Sequence, residues 1–344
     1  VSERVAFVFP GQGSQTVGMG ADIYASSPAA RRVFEIADAT LGFSISAICF
    51  SGPEDTLRET INTQPALVAT SLALLAALQE AAGASFDPAS DPALASPLTP
   101  EFTLGHSVGE YAALAAAGSL NIEDAVRLVR ERGRLMHQEG LACPSGMAAV
   151  LGMDAATLEG ICEEATAETL AQQASGAHPG AGRVVVANDN APGQIVISGA
   201  SDALERAMQL ARERGARRVV PLVVSGAFHS PVMLPASQAM ARVVQSVEFS
   251  EARVPVISNI AATPMRTSDE IRAELAHQID SPVQWTRSIE YLASQGITHF
   301  VEIGSGQVLS GLIKRIVKGS ATLSVATASD VAVAAGQIRD WMAS

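Results

Sequence analysis

The chain is short of aromatic residues, cysteines and basic side chains, and each shortage closes off a class of protein. Aromatic residues make up only 4% of the 344 residues, against 48% hydrophobic and 17% charged. That balance describes a globular chain rather than a disordered one, with small apolar side chains suited to helices packed closely on a sheet. The three cysteines, Cys49, Cys143 and Cys162, lie far apart and form no C-x-x-C pair. Neither a disulfide framework nor a zinc site is expected, and a reducing cytoplasm is the natural compartment. Lys plus Arg number 23 against 35 for Asp plus Glu, a net charge of −12. Nucleic acid, which demands a basic face, is therefore not the expected partner. Long apolar runs are missing too. The longest, Pro65 to Leu78, is too short to span a bilayer and reads as a buried helix. The opening Val5-Ala6-Phe7-Val8-Phe9 reads as a strand rather than a leader, so no membrane segment is expected.

What is present alternates strands with helices, which predicts an α/β fold with a mainly parallel sheet. Strand Val5–Phe9 runs into the Gly-rich loop Pro10-Gly11-Gln12-Gly13-Ser14-Gln15 and then a helix. A buried helix is expected from about Gln64 to Ala82. Residues 84–100 carry Pro88, Pro92, Pro97 and Pro100 among Ala, Ser and Asp, the composition of a surface loop. A short strand, Phe102–Leu104, then leads into Gly105-His106-Ser107-Val108-Gly109 and a helix from near Glu110. Residues 140–220 read differently: strand Met147–Leu151, helix Ala155–Ala165, strands Val184–Ala187 and Gln194–Ser198, helix Ala203–Arg214 and strand Arg218–Val223. This β-α-β-β-α-β order is the ferredoxin-like pattern. It predicts a small subdomain, with a loose loop near Leu170–Gly182, inserted into a larger domain made of residues 1–139 and 221–344. The larger domain ends with strand His299–Ile303 and a helix from about Val308 to Val317.

The strongest chemical signal is Gly105-x-Ser107-x-Gly109. Flanking glycines let a strand turn sharply into a helix and lift the serine hydroxyl to the C-terminal edge of a parallel sheet. A bland Gly-rich turn is the competing reading. A serine nucleophile needs a base, and there are six histidines. His137 and His277 look helical, His178 falls in the loose loop, His299 in a strand, and His106 is too close to Ser107 in sequence to face it. His229, in a loop just after a strand ending near Val224, is the favourite. An oxyanion needs backbone donors. Val108 at the head of the following helix is one candidate and Gln12 of the first Gly-rich loop another. That loop is no dinucleotide fingerprint, because Gly11-x-Gly13-x-x-Thr16 lacks the third glycine, and no Gly-Lys-Ser/Thr makes it a P-loop. Of Arg127, Arg130, Arg132 and Arg134, most should be solvated; one turned inward would grip a carboxylate bidentately. Spacing alone does not choose among them.

Taken together, these stretches resemble the malonyl-CoA:acyl carrier protein transacylases and the acyltransferase domains of polyketide and fatty-acid synthases. The matching segments are Phe9-Pro10-Gly11-Gln12-Gly13-Ser14-Gln15, Thr63-Gln64-Pro65-Ala66-Leu67, Gly105-His106-Ser107-Val108-Gly109-Glu110-Tyr111 and Arg132-Gly133-Arg134-Leu135-Met136. They continue with Asn190-Ala191-Pro192-Gly193-Gln194, Ala227-Phe228-His229-Ser230, Pro282-Val283-Gln284-Trp285 and Glu302-Ile303-Gly304-Ser305-Gly306. The resemblance implies an α/β-hydrolase-like large domain and transfer of a malonyl group from coenzyme A to the phosphopantetheine thiol of acyl carrier protein, through an ester on Ser107. His229 would be base and then acid, and Arg132 the clamp on the malonyl carboxylate. Gln12 and Val108 would form the oxyanion hole, and Gln278 would orient His229 through its backbone carbonyl. Gln64, Asn190, Phe228 and Arg218 would help bind substrate or carrier. Ala-Phe-His-Ser resembles the malonyl-selective members.

The resemblance further implies a monomer with no metal and no cofactor beyond malonyl-CoA and coenzyme A as substrate and product. Fatty-acid synthesis is the expected pathway, with a polyketide-dedicated enzyme or a serine hydrolase as alternatives. A degenerate, non-enzymatic module would have no use for Ser107, His229 and Arg132 together. Asp280, two residues beyond Gln278, is a reserve candidate for a triad acid. Lys314, Arg315 and Lys318, with Arg217 and Arg218, form either a docking patch for an acidic carrier or simple helix-end cations.

Overall fold

Strand β1 (Val5–Phe9) is buried along its whole length, as an uninterrupted apolar run in a parallel sheet should be. Alternate residues serve different cores: Val5, Phe7 and Phe9 pack on one face and Ala6 and Val8 on the other. The computed structural model describes residues 3–84, 98–171 and 178–343. Most of the Pro-rich 84–100 segment and the middle of the expected Leu170–Gly182 loop lie outside these residues.

The larger sheet has six strands. Beside β1 stand β2 (Phe102–Gly105), β7 (Val256–Ile257), β8 (Pro264–Met265), β9 (His299–Ile303) and β10 (Ala321–Val325), in the order β10-β9-β1-β2-β7-β8. All neighbours are parallel except β7 and β8. The smaller sheet is antiparallel and joins β3 (Ser145–Leu151), β4 (Val184–Ala191), β5 (Gln194–Ala200) and β6 (Arg218–Pro221) in the order β4-β5-β3-β6. Its helices, Ala155–Leu170 and Ser201–Glu213, cover one face over a separate apolar core. The expected β-α-β-β-α-β order is present, with each element within a few residues of its place and the helix Ala155–Leu170 about a turn longer.

Helix Thr60–Ala81 is buried over nearly its entire length. Among the described residues it is the one helix long and apolar enough to cross a membrane, and 94% of its apolar window is inside the protein. Helix Ile122–Ala142 packs along it and is amphipathic, with Leu128, Val129, Arg132 and Met136 turned inward. Asn121 caps its start by accepting the Asp124 N–H. At the end of β9 the buried Glu302 carboxylate accepts the N–H groups of Leu309 and Ser310 (3.0 and 2.7 Å) and so anchors helix Val308–Ile316. This is the physical content of the Glu302-Ile303-Gly304-Ser305-Gly306 stretch.

The two sheets are stitched together next to the C-terminal edge of the larger one. Asp189 N–H donates to Val283 O and Val283 N–H to Ala187 O (3.1 and 2.8 Å). From helix Val308–Ile316, Arg315 reaches across to Pro192 O (3.1 Å) and to the Gln194 side chain. The β4–β5 ladder shifts register twice, at Val186/Asn188 and Asp189/Ala191, which turns Asn188 and Asn190 towards the seam.

Candidate active site

The nucleophile turn is forced by its glycines. A Cβ on Gly105 would stand 1.9 Å from the carbonyl carbon of Gly109, and one on Gly109 would stand 2.2 Å from Phe9 O. Only hydrogen fits at either place, so the helix Gly109–Ala116 starts directly over the strand ends. Between them Ser107 takes a left-handed backbone conformation, φ 52°, which costs a residue with a side chain energy and here aims the hydroxyl out of the turn. His229 is the second such residue, with φ 57°. Both proposed reactive side chains thus ride on backbone that the surrounding fold holds in place.

Ser107 Oγ lies 2.7 Å from His229 Nε2. On the far side of the ring, Nδ1 faces two backbone carbonyls, Gln278 O at 2.9 Å and Ser281 O at 3.0 Å. Carbonyls only accept, so the proton sits on Nδ1 and the lone pair of Nε2 faces the serine. Burial, then the neighbouring Arg132 cation and the His106 imidazole, push the His229 pKa down to about 3. The ring is therefore a neutral base. Among the described residues no hydrogen bond joins Asp280 to it, and the pair is a dyad oriented by main-chain carbonyls. Ser281 is a partner of His229 that sequence reading missed.

Arg132 is 1% exposed, one of the largest fully buried side chains. Its Nη2 donates to Ser107 Oγ (3.0 Å), its Nη1 to Gln64 Oε1 (2.8 Å), and Nε and Nη2 both to Gln278 Oε1 (3.2 and 2.9 Å). Every acceptor is neutral. Among the described residues no carboxylate forms an ion pair with it. Helix Ile122–Ala142 sets this choice: Arg132 is on the inner face, while Arg127 and Arg134 pair with Asp124 and Glu131 on the outer one.

These groups border a cavity of about 200 Å³ between the two sheets. The large sheet's loops contribute Gln12, Ser107, Val108 and His229; Met147, Asn188 and Val196 come from the smaller sheet. Phe228 also lines it, and Asn190 Oδ1 accepts the Nε2–H of His106 (2.7 Å), whose ring stacks beside Trp285. Val108 is the N-cap of its helix, where the backbone N–H has no intrahelical acceptor. Gln12 is brought alongside because β1 and β2 are parallel neighbours paired at Phe9 and Gly105. A neighbouring cavity, bordered by Gly11, Gly13, His106, Asn190 and Gln194, continues past this loop.

Arg218 does not line this cavity. It is exposed at the outer end of edge strand β6, whereas Leu222, further along the extended chain, is the residue that lines the pocket. At roughly 3.3 Å per residue, those four steps carry Arg218 well away. His178, assigned to a loose loop, instead has its Nε2 2.6 Å from Glu139 Oε1.

Sequence reading also missed Asn259. Its Oδ1 accepts the Ser107 N–H (2.7 Å), its Nδ2 donates to Gly105 O (2.8 Å), and its own N–H donates to Glu110 Oε1 (3.0 Å). One side chain thus pins both ends of the nucleophile turn. No local pattern announces an asparagine 152 positions away in the chain.

A strained serine on a strand-to-helix turn, a neutral histidine at its hydroxyl and backbone donors alongside define an enzyme that works through an acyl-serine. The sequence profile of the family described as acyl transferase domain matches residues 6–341. The chain belongs to that family and is an acyltransferase. It is 42% identical over 337 residues to the malonyl CoA-acyl carrier protein transacylase of Bacillus subtilis (strain 168), covering 98% of each chain. It is also 42% identical over 318 residues to the enzyme of the same name from Escherichia coli (strain K12), covering 91% of this chain and 93% of that one. Among solved structures it is similar to the malonyl CoA-acyl carrier protein transacylase of Coxiella burnetii, with TM-score 0.87, 35% identity and 98% of both chains covered. It also resembles a malonyl-transacylase solved in complex with a type II polyketide acyl-carrier protein, with TM-score 0.85, 35% identity, and 97% and 100% covered.

Proposed function

We propose that this protein transfers the malonyl group of malonyl-CoA to the phosphopantetheine thiol of acyl carrier protein, through a malonyl ester on Ser107. The observation that carries the substrate assignment is Arg132: a buried guanidinium bonded to neutral oxygens only, 3.0 Å from the nucleophile. A buried cation without an anion is costly, and a substrate bearing its own carboxylate relieves that cost. An acetyl group does not. The names and near-complete coverage of the relatives support the same reading.

In this mechanism Ser107 Oγ attacks the thioester carbonyl while His229 Nε2 takes its proton. The backbone N–H groups of Gln12 and Val108 receive the oxyanion. His229 then protonates the departing coenzyme A thiolate. The carrier's thiol enters by the reverse path, losing its proton to His229 and releasing Ser107 with that proton restored. Gln64 and Gln278 fix the guanidinium, and Phe228 and Asn190 border the acyl and pantetheine approach. No metal or resident cofactor takes part in this scheme.

Within the α/β fold, we read the larger sheet as hydrolase-like. The smaller sheet we read as a ferredoxin-like subdomain at residues 140–220, a reading supported by its element order and by β4-β5-β3-β6. Three buried, unpaired cysteines are in keeping with a reducing cytoplasm. Fatty-acid synthesis is the pathway we favour. Exposed Lys314, Arg315 and Lys318 offer an acidic carrier a basic edge on an otherwise acidic protein.

The test is to mix the enzyme with malonyl-CoA and phosphopantetheinylated acyl carrier protein and follow the carrier's mass together with free malonate. Stoichiometric malonyl carrier with little malonate is expected. Steady malonate release with an unmodified carrier would make the protein a hydrolase.

A further inference from the structure

Behind the nucleophile turn the fold buries two carboxylates, and neither belongs to the chemistry described so far. Glu110 is 0% exposed and Glu274 7% exposed. Glu274 accepts the Ser258 hydroxyl (2.6 Å) and the Ile260 N–H (3.0 Å). Glu110 accepts the Asn259 N–H through Oε1, while its Oε2 is bonded by the Gln278 side-chain amide. No arginine, lysine or histidine among the described residues pairs with either.

Gln278 is the link between this cluster and the pocket. Its Oε1 receives Arg132 Nε and Nη2, and its Nε2 donates to Glu110 Oε2 and to Ser107 O (3.0 Å). Arginine has only donors, so the atom facing it must be the amide oxygen; a backbone carbonyl only accepts, so the atom facing Ser107 O, and Glu110 Oε2 beside it, must be the amide nitrogen. Glutamate behind and arginine in front therefore permit one orientation of the amide and forbid the flipped one.

We propose that Glu110 is a positioning residue for malonyl selectivity: through the fixed Gln278 amide it aims the Arg132 guanidinium at the acyl pocket while keeping a carboxylate off it. Were Glu110 to touch Arg132 directly, the cation would be neutralised and a substrate carboxylate would gain little. Set one amide further away, the same carboxyl orders Arg132 through Gln278 and leaves the cation for the ligand. Burial, and then the neighbouring Glu274, hold the Glu110 pKa well up; burial also raises Glu274, against its hydrogen bonds to Ser258, the backbone and Glu110, which pull the other way. This inference rests on the malonyl-transfer reading and names what makes that site selective.

The test is Glu110→Gln. Its amide has one oxygen for two donors, the Asn259 N–H and Gln278 Nε2, so one of them is left facing N–H groups and the Gln278 amide loses its fixed position against Arg132. Initial rates of Ser107 acylation are measured with malonyl-CoA and acetyl-CoA for wild type and variant. The expected result is a fall of at least about tenfold in the malonyl-to-acetyl ratio of kcat/KM, carried mostly by a higher KM for malonyl-CoA. Equal losses for both donors, or an unchanged ratio, overturns the proposal, because damage to the fold alone moves both donors together. If Glu110→Gln does not fold, Gln278→Leu removes the same link while its backbone carbonyl still meets His229, and the same fall in ratio is expected. Wild-type enzyme that is not malonylated at all in this assay would sink the functional reading instead.

Discussion

The two sides of the nucleophile turn are opposites. In front, the acyl pocket holds a buried cation, Arg132, with no carboxylate bonded to it; behind, Glu110 and Glu274 are buried carboxyl groups with no basic side chain paired to either, among the described residues. The Gln278 amide bridges them, accepting from Arg132 on one side and donating to Glu110 on the other. Direct pairing of Arg132 with Glu110 would have satisfied both sides and left a pocket with nothing to offer a carboxylate. Keeping the charges apart is what gives the pocket its appetite for an acid-bearing acyl group, and the stability of the site carries the cost.

The comparison is broken most severely by removing the cation. Arg132→Ala is expected to lower malonyl transfer by about 100-fold, the value of a lost charge-assisted pair, while acetyl transfer falls less. Equal loss for both donors in steady-state kinetics would contradict the clamp. The next effect is on pH. Burial and the neighbouring Arg132 hold the His229 pKa at about 3, so the imidazole stays neutral, and competent as base, well below its ordinary 6.5. The pH profile of kcat/KM should therefore show no acid limb near 6.5. The malonyl carboxylate offsets Arg132, so the corresponding limb of kcat lies at higher pH than that of kcat/KM.

The rear side is sharpened by Glu274→Gln. Burial raises both carboxyl pKa values above 4.5, and the charge of Glu274 raises that of Glu110 further. A raised acid binds its proton more tightly folded than unfolded, so stability is fully present at low pH and falls as pH rises above 4.5 towards the folded pKa values. Removing one carboxyl should flatten that fall in a series of Tm measurements across pH. A slope identical to wild type would mean that the pair does not share its charge. The smallest effect is expected from Asp280→Asn, with turnover nearly unchanged, since two carbonyls already hold His229. A loss on the order of 10⁴-fold would restore Asp280 as a triad acid.

What was legible in the sequence follows the same division. Ser107 could be read because glycines two residues either side impose a backbone no other residue tolerates. His229 could be read from its place after a strand. Arg132 could not be separated from Arg127, Arg130 and Arg134 by spacing; only the resemblance singled it out, and the helix face then supplied the reason. The rear cluster was invisible. Glu110, Asn259 and Glu274 come together through strand β7, only two residues long, and through tertiary packing that leaves no periodic trace. Arg218 shows the limit of a strand pattern, which places a residue near a cleft in sequence but does not say whether it lines the cavity. The β-α-β-β-α-β order was legible because its helices and strands carry their own apolar patterns; the bulges that turn Asn188 and Asn190 to the seam were not.

The most direct test is intact-protein mass spectrometry after a brief exposure to malonyl-CoA, followed by peptide mapping, with Ser107→Ala and acetyl-CoA alongside. The account predicts a malonyl-sized gain on Ser107 in wild type, none in the variant, and a much weaker adduct from acetyl-CoA. Malonyl-CoA turnover without any adduct, or an adduct that persists in Ser107→Ala, would contradict it.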